Sequence, residues 1–211
     1  MTDQALAGTT IDQSEPPVTD DGGPVRPMRA DARRNYDKLV AAAREVFLQQ
    51  GGGASLEAIA KQAGVGVGTL YRHFPKRIDI VEAVYREDVD GLLSSAKEFA
   101  ADLEPWPALV AWLEAFVRYA NTKRTFLNEL HEAFEENPQL RLNSRERMEA
   151  AINLVLRPAQ EAGVVRTDLD GSDLMQLLGS MCMSATLKPG QSERLLVMIQ
   201  DGLRPPQDNN A

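Results

Sequence analysis

The chain has 211 residues, 43% of them hydrophobic and 26% charged, with a formal net charge of −8. These are ordinary values for a soluble globular protein with room for one or two domains. There is no run of about 18 apolar residues, which excludes a membrane-spanning segment, and the acidic, polar start MTDQALAGTTIDQSE is not a secretory leader. The single cysteine, Cys182, excludes an internal disulfide and fits a reducing, cytoplasmic setting. It lies in the apolar run LLGSMCMSA and reads as a small core residue.

Residues 1–28 are rich in Pro and Gly and poor in apolar residues, so they read as a disordered tail. From about Ala32 the pattern turns helical. Tyr36, Leu39, Val40, Ala43, Val46 and Phe47 recur at three- and four-residue steps, and Gly51-Gly52-Gly53 ends the run. Ser55 is an N-cap candidate for the short helix LEAIAKQA, and Gly64 stands where a tight turn needs positive φ. A third short helix is expected from Val67 to Phe74, and a long one after Pro75 from RIDIV onward. Further helices are expected near 106–121, 124–135, 138–162, 172–186 and 191–203, with breaks at Pro105, Asn137-Pro138, Gly163 and Pro189-Gly190. GVVRT at 163–167 is too short to make a sheet, and 204–211 reads as a second disordered tail. The fold class is therefore all-α with about nine helices. A head at 29–77 is followed by a helical body at 78–203.

Charge is unevenly placed. Between Arg26 and Arg77 ten basic residues face four acidic ones, a net +6, so the rest of the acidic chain carries −14. A basic module on an acidic body suggests an anionic partner for the first part only. That part also holds two short helices joined by a glycine turn, a helix-turn-helix unit. Leu70 and Phe74 share the inner face of its second helix, with Val65 and Val67 extending that face. The opposite face shows Gly68, Thr69 and Arg72, flanked by Tyr71 and His73. Gly66 and Gly68 leave the leading turn without bulk, so backbone can approach a DNA groove. Thr69 suits a thymine methyl or a hydrogen bond, and Arg72 a guanine or a phosphate. Tyr71, His73, Lys76 and Arg77, with Arg29, Arg33 and Arg34 of the preceding arm, are expected at phosphates. Ser55, at the start of the second helix, and Val67, at the start of the third, join this DNA-contact set. A solvated charged surface helix is the plainer alternative.

In the body, Trp106, Trp112, Phe116, Tyr119, Phe126 and Phe134 either wall a pocket for an apolar ligand or simply fill the core. Leu174, Leu177, Leu178 and Met181, with Leu195, Leu196, Met198 and Ile199, are candidates for a dimer seam, with monomer core as the alternative. His131 reads as part of a solvated face. No catalytic constellation stands out, one cysteine cannot form a thiolate metal cluster, and no cofactor is implied.

These residues resemble the DNA-binding domain of the TetR family of bacterial transcriptional regulators. The resemblance rests on Leu39, Ala42, Ala43, Phe47 and Gly51, on Ile59-Ala60 with Ala63-Gly64-Val65, on Gly68-Thr69-Leu70-Tyr71 with His73-Phe74, and on Arg77. It covers about residues 32–85. Many members carry an aromatic residue after the first glycine, where this chain has Gly52, and Ser with a polar or basic residue where it has Gly66 and Val67. The resemblance implies a homodimer on a palindromic DNA operator. The last two helices of each chain would pair in a four-helix bundle, and a small-molecule effector among the middle helices would release the operator. An activator or a regulator whose effector is a protein, an α-helical carrier or enzyme with an incidental basic segment, and a protein-interaction module are the alternatives.

Overall fold

The computed structural model describes residues 25–184 and 186–205, with side chains from Ala30 onward in the first helix. Among the described residues there are nine α-helices and no strand. They are α1 (Val25–Gln50), α2 (Leu56–Ala63), α3 (Val67–His73), α4 (Arg77–Asp102), α5 (Pro105–Arg124), α6 (Leu127–Glu136), α7 (Pro138–Glu161), α8 (Gly171–Cys182) and α9 (Gln191–Leu203). Helix α1 starts earlier than its apolar stripe, at Val25, inside the stretch expected to be a tail. Pro27 falls in its first turn, where backbone N–H groups have no intrahelical partner and proline is tolerated. The rest of the two expected tails, 1–24 and 206–211, lies outside the described residues. Arg204 does not trail free: its guanidinium lies 3.4 Å from the centre of the Trp106 ring.

Local chemistry sets the boundaries of the head. The Ser55 hydroxyl accepts a hydrogen bond from the Ala58 N–H at 3.1 Å, satisfying one orphan donor at the start of α2. Gly64 closes α2 at φ +64°, a left-handed conformation that favours glycine. The Val65 N–H then donates to the Ala60 carbonyl at 3.0 Å, which fixes the turn into α3. In this way α1, α2 and α3 enclose Leu39, Val40, Ala43, Phe47, Ile59, Leu70 and Phe74, all buried.

The long helix α4 carries the head into the body and packs on α1, α5, α6 and α7. Its buried stripe runs Ile80, Val81, Val84, Tyr85, Val89, Leu92 and Ala96, one face of a 3.6-residue period. The fully buried Trp112 indole donates to the Leu92 carbonyl at 3.0 Å and pins α5 to α4. Arg44 of α1 bonds Asp88 of α4 at 2.6 Å, a second tie between head and body. Burial pushes the Asp88 carboxyl up to about 6 in spite of that arginine. Segment 163–167 forms no strand: Val165 is buried, and the Arg166 N–H donates to the Leu203 carbonyl at 3.0 Å. Cys182 is buried, and its thiol is pushed up to about 11 by that burial.

Leu70→Ala or Phe74→Ala opens a cavity beneath α3. Each is expected to lower unfolding free energy by about 2–5 kcal/mol, read by urea titration.

Candidate nucleic-acid interface

The outward face of α3 is bare. Gly66, the N-cap, and Gly68 in the first turn are exposed, and a Cβ built on Gly68 meets nothing within 4 Å. Val67 and Tyr71 are 40% and 44% exposed, which corrects the expectation that Val67 packs inward with Leu70. Val67 is the first residue of α3, so no earlier turn of that helix covers it, and it shares a face with the exposed Tyr71 four residues on. Arg72 is exposed, and its Nε donates to the Gly68 carbonyl at 3.2 Å; among the described residues its other guanidinium nitrogens have no protein partner. The Tyr71 hydroxyl donates to Glu57 of α2 at 3.4 Å. Thr69 is half-buried beside Gly66.

The other expected contacts fall into distinct groups. His73 is half-buried, with its ring 6.3 Å from Tyr36 of α1 and 6.2 Å from Phe74, so it helps seat α3 on α1. Ser55 is engaged in capping α2. Arg33 pairs with Asp37 one turn on, and Lys76 lies 3.9 Å from Glu136; both basic side chains are more than two-thirds exposed. Exposed pairs of this kind contribute about 0–1 kcal/mol, so these cations exchange partners readily. Arg34, Lys38 and Lys61 are exposed as well. The side chain of Arg29 lies outside the described residues.

Arg77 is a correction. Its guanidinium is part-buried and donates to two backbone carbonyls of the α1–α2 loop, those of Gly52 and Ala54. It lies 5.5 Å from the centre of the Phe47 ring and 3.8 Å from Glu129 of α6. Its two Nη atoms are thus engaged with that loop, a structural role in place of the outward-facing one expected. Gly52 belongs to the same joint, because a Cβ placed there would fall inside the Glu129 carboxylate. Thus the space beside Gly52, where the resemblance led to an aromatic residue being expected, is taken by a side chain from the body. Phe126 completes the contact, stacked on Phe47 at 5.2 Å. Glu129 carried no signal in the sequence, since an acid on an amphipathic helix reads as solvated.

The six aromatics of the body do not form one pocket. Trp112, Phe116 and Tyr119 run in contact along α5, each neighbouring pair 5.7 Å apart. Phe126 belongs to the joint with the head, Phe134 meets Tyr85 edge-on at 5.2 Å, and Trp106 lies under Arg204. The expected dimer seam also divides. Leu174, Leu178 and Leu196 are at most 4% exposed, so within one chain they are already core. Leu177 is 49% exposed, and Met181, Leu195 and Ile199 are half-buried. Val197 and Met198 are more exposed still, at 54% and 68%.

Because Arg77 bonds inward, Arg77→Ala is expected to lower unfolding free energy by about 1.5–3 kcal/mol, as for other hydrogen bonds to charged groups. The salt dependence of DNA binding should stay unchanged, whereas loss of a phosphate contact reduces its slope by about one unit. Urea titration and binding across a salt series read the two effects separately.

The head and body each match a described family. Residues 39–84 match the profile of bacterial regulatory proteins of the tetR family, and residues 104–205 match the transcriptional regulator SbtR-like C-terminal domain. A TetR transcriptional regulator from Streptomyces coelicolor superposes with a TM-score of 0.72 at 37% identity, over 82% of this chain and 99% of that one. A TetR transcription regulatory protein from Mycobacterium vanbaalenii gives 0.67 at 32% identity, over 85% and 100%. An HTH-type transcriptional regulator of Staphylococcus aureus is 36% identical over 76 residues, 36% of this chain; the match spans 41% of that protein's length. The helix-turn-helix head, the helical body and these matches over most of the chain agree: the chain belongs to the TetR family of bacterial transcriptional regulators.

Proposed function

We propose that the chain is a homodimeric repressor that holds a palindromic operator and releases it when a small molecule binds within the body. The observation that carries the reading is the bare leading turn of α3. Gly66 and Gly68 add no bulk, Gly68 has open space beyond it, and Tyr71 and Arg72 project beside it from a helix anchored by Leu70 and Phe74. A recognition helix needs this combination of a thin leading edge, outward donors and a rigid base. The exposed Arg33, Arg34, Lys38, Lys61 and Lys76 supply cations nearby for the phosphate backbone. Residues 29–77 serve as the reading head and 78–203 as the regulatory and dimerisation body.

One reading helix covers half of a palindromic site, so two-fold pairing is required. A groove of about 700 Å³ between α8 and α9 supports it. Leu177, Met181, Leu195, Met198 and Ile199 line it. Side chains as exposed as Leu177, Val197 and Met198 are costly to leave in water together, and a second copy offers the same apolar surface to cover them. Among the described residues no helix is long and apolar enough to cross a membrane.

Two experiments test these assignments. Arg72→Ala is expected to leave stability within about 0.5 kcal/mol and to weaken operator binding by about 1–3 kcal/mol. Gly68→Leu should fold and fail to bind, because its side chain blocks the approach of backbone to the groove. Operator binding at parental strength by both variants, in a gel shift with DNA flanking the gene, contradicts the interface. For the dimer, Leu177→Asp and Met198→Asp place charge on the exposed face without touching the subunit core. Sedimentation should report folded monomers with weakened operator affinity; an intact dimer for both variants removes this face from the seam.

A further inference from the structure

Lys123 lies in the last turn of α5 and points its ammonium into an aromatic cluster. The nitrogen is 5.2 Å from the ring centre of Tyr85 on α4, 5.5 Å from that of Phe134 on α6 and 6.0 Å from that of Tyr119 on α5. Among the described residues no carboxylate pairs with it and no oxygen accepts from it. Burial alone acts on the amine and pulls it down to about 8, with no anion nearby to offset the loss of water. Beside it the Tyr119 hydroxyl is buried, with the Tyr85 hydroxyl as a near polar neighbour but no well-formed hydrogen bond. A buried ammonium without an oxygen partner, beside a buried hydroxyl that has only another tyrosine near it, is costly to hold in an aromatic setting. The ring faces attract the cation, but they give it no acceptor. Lys123 as a residue keeps some exposure, so the cluster lies at the edge of the core and not sealed inside it.

We propose that this cluster is where the effector binds, and that the effector is a carboxylate with an apolar body. Its carboxylate accepts from the Lys123 ammonium and the Tyr119 hydroxyl, while the apolar part lies against Phe134 and Tyr85. The proposal rests on the effector-controlled reading above and adds the chemical class and the anchoring residues. The site is also placed to act on the head. The Lys123 carbonyl accepts from the Phe126 N–H at 3.3 Å, and Phe126 is the residue stacked on Phe47 of α1. The Thr125 carbonyl lies against Gly51 at the end of α1. A ligand that repositions Lys123 therefore pulls on the short connection that touches the α1–α2 loop.

The test uses the full chain with benzoate and octanoate, each compared with its neutral amide, read by thermal melting and by gel shift on the operator. At least one carboxylate should raise the melting temperature by several degrees and release DNA, while its amide does neither. Lys123→Met should abolish both effects, still bind operator, and melt no lower than the parent, since it removes an uncompensated charge. Tyr119→Phe should weaken carboxylate binding roughly tenfold, the loss of one hydrogen bond to a charged group. No shift from either carboxylate, or a shift that survives in Lys123→Met, overturns the site. A response to the amides alone overturns the anionic class and leaves effector control standing. A Lys123-dependent rise in melting temperature without DNA release overturns the effector role. A lower melting point for Lys123→Met, with no carboxylate response in the parent, assigns the lysine to structural support.

Discussion

Among the described residues, the Arg77 guanidinium links head and body by a polar contact at the α1–α2 loop. It donates to the carbonyls of Gly52 and Ala54, covers the face of Phe47, and faces Glu129 of α6. The loop it fixes is the one that delivers Ser55 to cap α2, and α2 in turn sets the turn into α3. A carbonyl pair in a glycine-rich loop has no helical partner, so a fixed planar cation is well suited to hold it. The attitude of the reading helix thus depends on a residue at the first position of α4, outside the helix-turn-helix itself.

This arrangement explains how an acidic protein presents a basic surface. Of the ten basic residues between Arg26 and Arg77, Arg44 and Arg77 serve structure: the first is paired with Asp88, the second holds the loop. Those on the surface include Arg33, Arg34, Lys38, Lys61, Arg72 and Lys76, which cluster on the head while the acids concentrate in the body. Repulsion between the body and a polyanion then favours approach by the head alone.

The helical layout was legible because each boundary carries its own chemistry. Ser55, Gly64, Pro105 and Asn137-Pro138 mark ends that periodicity alone would blur, and Leu70 with Phe74 fixed the inner face of α3. The destinations of charged and apolar side chains were less legible. Arg77 read as a phosphate contact because sequence shows a cation and not the carbonyls it meets. Gly52 read as a missing aromatic because Glu129, far along the chain, fills its space. Leu178 and Leu196 read as seam because a helix buried on one side and paired on the other has two apolar faces, and periodicity does not say which is which. Lys123 gave no signal, since a lysine in the last turn of a helix is where a solvated lysine is commonly found.

Arg77 and Glu129 join head to body as one unit. A double-mutant cycle on unfolding free energy, built from Arg77→Met, Glu129→Gln and the pair, measures it directly. Residues in one network couple by about 0.5–3 kcal/mol, and a favourable coupling in that range is expected. Strictly additive effects of the two substitutions would contradict it.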